Sequence, residues 1–213
     1  KKTLINIKDY SVRYNDAPSP VFSDISLTVH AGDRIAISGK NGCGKSTLLK
    51  MILKRAGYAS NDIKNGISDI SDISDISDIS VTSESGICET VSGLTISYIN
   101  QDTSFLTGNL SDYCKRHALD KSLFLALLRQ LDFDRNQFVK NINEYSEGQK
   151  KKILIATSLM TPAHLYIWDE PLNYIDVFSR MQLEELLLRY QPTMIFVEHD
   201  IRFCEKICTD TLL

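Results

Sequence analysis

The sequence predicts an α/β fold built around a mainly parallel sheet. Three observations lead there. Residues 34–38, 165–168 and 193–197 are short, nearly unbroken apolar runs, as expected of strands buried on both faces. Segments of helical period alternate with them, and a glycine-rich turn joins the first run to its helix, so strand, loop and helix follow in that order. At roughly 150 residues per domain, the 213 residues suggest one domain. With 43% hydrophobic and 24% charged residues, the composition is that of a folded globular chain and excludes wholesale disorder.

Leu4, Ile5 and Ile7, followed by Ser11-Val12-Arg13-Tyr14, read as an edge strand that Pro18 and Pro20 interrupt. Residues 22–29 make a second strand, closed by the turn Ala31-Gly32-Asp33. The helix after residues 34–38 carries Leu48, Leu49, Ile52 and Leu53. Residues 58–93 differ: from Ile67 to Ser80, Ile-Ser-Asp repeats four times and ends on Ile-Ser. A period of three fits neither a strand nor a helix. It reads as a low-complexity expansion in a surface loop, with an added hairpin as the alternative. Residues 94–99 form a strand ending near Gln101, and 109–140 are helical in pattern, with a stripe of Leu123, Leu127, Leu128 and Leu131. Ser146 opens a further helix that Pro162 stops, and 177–190 are amphipathic before Pro192.

Several classes are excluded. The longest clean apolar run, residues 123–128, is far short of the ~20 that span a bilayer, and the start has no secretory signal. A formal net charge of −3 argues against a broadly basic nucleic-acid surface. Five scattered cysteines (Cys43, Cys88, Cys114, Cys204 and Cys208) point to a reduced, cytoplasmic protein, with Cys204 and Cys208 in packing roles. The opening at Lys1 without a methionine reads as a cut end.

The chemistry lies in two places. Gly39-Lys40-Asn41-Gly42-Cys43-Gly44-Lys45-Ser46 is a complete phosphate loop. Its glycines let successive N–H groups turn inward onto phosphate oxygens at a helix N-terminus. Lys45 offers a charge to the β- and γ-phosphates, and Ser46 a hydroxyl to Mg²⁺. The run 165–168 then ends on Asp169-Glu170. Carboxylates at the end of a buried strand need a cation. Asp169 would hold the metal, and Glu170 would act as general base on the attacking water.

With these motifs in place, the chain resembles the ABC ATPases, with six motifs in the order that family requires. The resemblance implies a P-loop domain of ABC type, with a mainly parallel core sheet, an antiparallel β subdomain and a small helical subdomain. It spans 1–213 as one domain: core 1–57, 94–103 and 146–213, helical subdomain about 104–145, insertion about 58–93. It implies that Tyr14 stacks on adenine and that Gln101 serves the Mg²⁺ and water site as the Q-loop. Thr47 joins the phosphate-loop residues Gly39, Asn41, Gly42, Gly44, Lys45 and Ser46 as a nucleotide contact. Ser146-Glu147-Gly148-Gln149 resembles the signature motif, with Ser146, Gly148 and Gln149 facing nucleotide; Asp176 falls in the D-loop and His199 at the switch histidine. Ser146 and Gln149 also form a plain helix capping box. Glu147 replaces the usual glycine and brings a negative charge near the nucleotide. Lys150, Lys151 and Lys152 read as a solvated helix face, or as docking charge for phosphate or RNA.

The form Leu172-Asn173-x-x-Asp176 resembles the ABC-F proteins, soluble twin ATPases that act on ribosomes. Residues 171–180 and 196–200 look most like the second ATPase domain of the Lsa/Vga-like antibiotic-resistance group. The resemblance implies ATP and Mg²⁺ as cofactors, a second ABC domain as partner (in the same parent chain or as a homodimer), and a ribosome reached through the parent protein without membrane insertion. The alternative is the nucleotide-binding motor subunit of an ABC membrane transporter.

Overall fold

The computed structural model describes residues 1–15, 17–58 and 81–212. Five parallel strands form the central sheet, in the order β5-β6-β7-β3-β8: β5 Ile96–Ile99, β6 Leu165–Asp169, β7 Met194–Val197, β3 Arg34–Ile37 and β8 Asp210–Leu212. Alternate side chains sort to opposite faces, as a period of two requires. Ile35, Ile37, Leu165, Ile167, Ile195 and Val197 point into one core. Ala36, Trp168, Met194 and Phe196 point into the other. The first core is closed by α1 (Lys45–Arg55) and by a three-stranded antiparallel sheet. The second is closed by α2 (Leu110–Arg116), α3 (Lys121–Gln130), α4 (Glu147–Met160), α5 (Val177–Tyr190) and α6 (Ile201–Ile207).

The antiparallel sheet corrects two expectations. β1 (Thr3–Tyr14) is its central strand, flanked by β2 (Phe22–His30) and β4 (Val81–Thr90), so it is not an edge. The second neighbour, β4, comes from the range assigned to an inserted loop. Its alternation is hard to read because the face of buried Cys88 also carries Glu84, Gly86 and Thr90; Gly86 (φ 82°) stands opposite a bulge in β1, where Asp9 has φ 48° and its carbonyl oxygen would be 2.1 Å from a Cβ on the glycine. The Ile-Ser-Asp repeat at 67–80 lies outside the described residues.

The helical expectation for 109–140 resolves into α2, α3 and a short 3₁₀ turn at Arg135–Gln137, and a second such turn, Ile142–Glu144, follows that range. Asn109 and Asp120 cap the two helices by accepting from the Asp112 and Leu123 amides. The buried stripe of α3 is Phe124 and Leu128, continued by Leu131, while Leu123 is 64% exposed. A leucine-only stripe overlooked Phe124, which fills the helical core against Tyr113 at 5.9 Å between ring centroids. Lys151 and Lys152 are also buried, and this corrects the solvated-face reading of the basic triplet. Successive helical positions are 100° apart, so three consecutive lysines cannot all face water.

Candidate nucleotide site

Four neighbouring parallel strands deliver their following loops to one edge of the sheet. The phosphate loop follows β3, Gln101 follows β5, Asp169 and Glu170 end β6, and Glu198 and His199 follow β7. The carboxyl ends of parallel strands are where open α/β sheets hold ligands. The loop enters α1 through Gly44, which has φ 93°, and a Cβ there would stand 2.7 Å from Val21 Cγ1. Gly39 is equally constrained, with φ 141° and the Cys43 sulfur 2.9 Å from a Cβ position. Gly42 has φ 79° and open space beside it. Asn41 lies exposed on the same loop. Lys45 is buried, and its Nζ donates to the carbonyls of Gly39 and Lys40, both at 2.9 Å.

The metal candidates converge. Gln101 Nε2 donates to Asp169 Oδ1 at 3.3 Å, and the Ser46 side chain lies close enough to the same carboxylate to favour its charged form. Burial pushes the Asp169 carboxyl up, while Ser46, the Gln101 bond and the charge of Lys151 hold it down. Among the described residues, no three of His, Cys, Asp and Glu converge as a metal cage. One buried carboxylate, a hydroxyl and an amide oxygen suit Mg²⁺, which keeps waters and takes substrate phosphate oxygens. The residues present therefore fit the ion.

Glu170 takes φ 49°, a left-handed backbone that swings it out of the strand. Its Oε2 accepts from Asn173 Nδ2 at 2.6 Å, and its Oε1 lies 3.8 Å from His199 Nε2. Tyr14, at the end of β1, places its hydroxyl 2.9 Å from Thr47 Oγ1 on α1. Neighbouring Tyr10 is a core residue, with its hydroxyl on Glu84 at 2.7 Å.

The signature and D-loop residues gather in a second cluster. Ser146 and Gln149 bond to each other, through Gln149 N to Ser146 Oγ at 3.2 Å and Ser146 N to Gln149 Oε1 at 3.0 Å. A Cβ on Gly148 would stand 2.4 Å from the Tyr174 carbonyl oxygen, so only glycine lets α4 approach the D-loop this closely. Asp176 caps α5 through the Ser179 amide and meets Lys152 Nζ at 3.0 Å. Burial is the largest single influence and raises its carboxyl, but the Ser179 bonds and Lys152 together outweigh it and hold the group far below the usual range. Glu147 accepts from Thr103 Oγ1 and pairs with Lys150 at 3.1 Å, so its charge is neutralised locally.

Glu198 carries no role in the sequence reading, and Lys151 reads there only as part of a solvated or docking face. Glu198 is buried, and its Oε1 accepts from the His199 amide at 2.7 Å and the Asp200 amide at 3.2 Å, while its Oε2 accepts from Leu172 N at 3.2 Å. One carboxylate thus joins the switch turn to the start of the D-loop. Lys151 Nζ donates to the Asn100 carbonyl at 3.1 Å, with the Gln101 carbonyl at 3.5 Å. The sequence signals were an acid closing an apolar run beside a histidine, and a lysine triplet too long for one helix face. Cys204 and Cys208 pack against the helical core, where burial pushes the Cys204 thiol up to about 12.

A phosphate loop at the end of one parallel strand and carboxylates at the ends of its neighbours define a P-loop nucleotide-binding domain. A sequence profile of the family described as "ABC transporter" matches residues 22–173. The chain belongs to that family, whose ATP-binding domains are ATPases. It is 29% identical to "ATP-binding protein Uup-like" and to "ATP-binding protein Uup", both of Haemophilus influenzae, matching all of this chain and 42% and 30% of those proteins. It is 26% identical to "ABC transporter F family member 5" of Arabidopsis thaliana, over 97% of this chain and 27% of that protein. The chain thus spans less than half the length of these relatives. A solved "Structure of ATP binding subunit of ABC transporter" superposes with a TM-score of 0.68 at 20% identity, covering 97% of this chain and 83% of that one, a likeness of fold. Among the described residues, no helix is long and apolar enough to cross a membrane.

Proposed function

We propose that this domain binds and hydrolyses ATP as one of a pair of ABC domains in an ABC-F protein, whose closure clamps the parent protein on the ribosome. The D-loop form Leu172-Asn173-x-x-Asp176 carries the subfamily reading, and the likeness to Uup and F-family relatives supports it. A narrower assignment to Lsa/Vga-like resistance proteins rests on residues 171–180 and 196–200.

Lys45, the inward amides after Gly39 and the N-terminus of α1 hold the phosphates; Tyr14 flanks the base. Ser46, Asp169 and Gln101 would hold Mg²⁺, which when bound draws charge from the β- and γ-phosphate oxygens. Glu170 takes a proton from the water that attacks the γ-phosphorus, and the bond to the β–γ bridging oxygen breaks to leave ADP and phosphate. His199, turned by the Glu198 carboxylate, faces the γ-phosphate. Ser146, Gly148 and Gln149 serve the nucleotide of the opposite domain, with Asp176 fixing the D-loop between them. Exposed Tyr174, Val177, Phe178 and Met181 give that domain an apolar landing beside Asp176.

The parent protein is expected to cosediment with ribosomes in an ATP-dependent manner, and Glu170→Gln to hold it there. Recovery with a membrane subunit, and none with ribosomes, would favour the transporter-motor reading.

A further inference from the structure

We propose that Lys151 is a positioning residue that fastens the Q-loop backbone carrying Gln101 to the helix begun by the signature motif. The proposal rests on the reading of Gln101 and Asp169 as metal-site residues. Lys151 is only 2% exposed. A lysine is almost never buried without compensation, and here it has two kinds. Its ammonium donates to the Asn100 carbonyl at 3.1 Å, with the Gln101 carbonyl at 3.5 Å. It also lies within the field of Asp169, Glu170, Glu198 and Glu147.

A second tie runs in parallel. Buried Thr103 donates its hydroxyl to Glu147, the residue standing where the signature motif usually has glycine. Both sides of the turn at 100–103 are therefore held by the first two turns of α4. From that fixed backbone, the Gln101 amide reaches Asp169 at 3.3 Å. A shift of α4 when a second domain closes on Ser146 and Gly148 would move Gln101 relative to Asp169 through Lys151.

The lysine has two effects that oppose each other. As a charge, it repels a cation from the carboxylates. As a clamp, it places a metal-site residue. We infer that the clamp dominates. Loss of the side chain then weakens Mg²⁺ binding, whereas a pure charge role predicts the opposite.

The test measures affinity of the whole chain for a fluorescent ATP analogue, first in EDTA and then across a Mg²⁺ titration. The variants are Lys151→Met, Lys151→Arg and Gln101→Ala. Lys151→Gln replaces the methionine variant if that one does not fold. Lys151→Met is expected to keep its affinity in EDTA and to need about 10-fold more Mg²⁺ for half-maximal enhancement, the lower range for lost outer-shell partners. Lys151→Arg, which keeps charge and donors, is expected to stay near the parent. Hydrogen exchange at the amides of 99–103 should quicken in the methionine variant and not in the arginine variant. An unchanged or lowered Mg²⁺ requirement in Lys151→Met overturns the proposal, as does an equal loss in EDTA, which marks a packing role. If Gln101→Ala also leaves the Mg²⁺ requirement unchanged, the metal-site reading falls with it; if Gln101→Ala raises it and Lys151→Met does not, the positioning role alone fails.

Discussion

Glu170→Gln is expected to lower ATP hydrolysis by about 10²–10⁴, the usual effect of losing a general base, while ATP affinity is retained. Glutamine keeps the size of the side chain and an oxygen for Asn173 Nδ2, which lies 2.6 Å from Glu170 Oε2. It loses only the ability to take the proton. The carboxylate stands at the end of β6 on a left-handed residue, 3.8 Å from His199, where a water between them would face the γ-phosphate. Steady-state hydrolysis should be followed with a second ABC domain present, because Ser146, Gly148 and Gln149 bond or pack away from the phosphate loop of their own chain. In the chain alone, the rate per molecule should climb with protein concentration. A retained rate in the glutamine variant would mean Glu170 is not the base. Fast turnover independent of concentration would contradict the half-site reading.

The largest stability effect is expected at Trp168, one residue before Asp169. Its ring is fully buried between the sheet and the helical layer. The indole Nε1 donates to Ser158 Oγ at 2.8 Å, and Ser158 Oγ in turn meets Ser97 Oγ at 2.7 Å, so a polar chain ties β6, α4 and β5 together. Trp168→Ala removes the largest side chain of that core and takes the indole donor from Ser158 Oγ, which keeps Ser97. A loss of about 3–5 kcal/mol is expected from the cavity, read as a fall in the urea midpoint. Trp168→Phe keeps most of the volume and should lose clearly less. Equal losses in the two variants would place the effect in the hydrogen bond rather than the packing. Because β6 carries Asp169 and Glu170, the alanine variant should also weaken Mg²⁺-dependent nucleotide binding.

The parts of the fold that could be read from sequence were those where one force dominates. β3, β6 and β7 are buried on both faces, so their sequences are unbroken apolar runs. The phosphate loop was legible because each of its glycines meets a distinct backbone demand, and α4 because Ser146 and Gln149 are a complete capping box. β4 was missed because its pairing partner is far along the chain and its inner face carries Glu84, Gly86 and Thr90 beside Cys88 rather than an apolar row. The burial of Lys151 and of Glu198 was missed for a shared reason. A charged side chain in sequence suggests water, and only the tertiary arrangement shows carbonyls or amides waiting for it. The roles of Tyr14, Gln101, Asp176 and His199 came from family resemblance. The structure adds where they stand: Gln101 against Asp169, His199 near Glu170, Tyr14 on Thr47 and Asp176 against Lys152.

The most direct test is a calorimetric titration of ATP with Mg²⁺ into the chain and into Lys45→Ala. The account predicts saturable binding of one nucleotide per chain, weakened by at least about tenfold when the lysine is removed, as expected for lost charge-assisted hydrogen bonds. No binding by the parent chain, or equal affinity in the two, would contradict it.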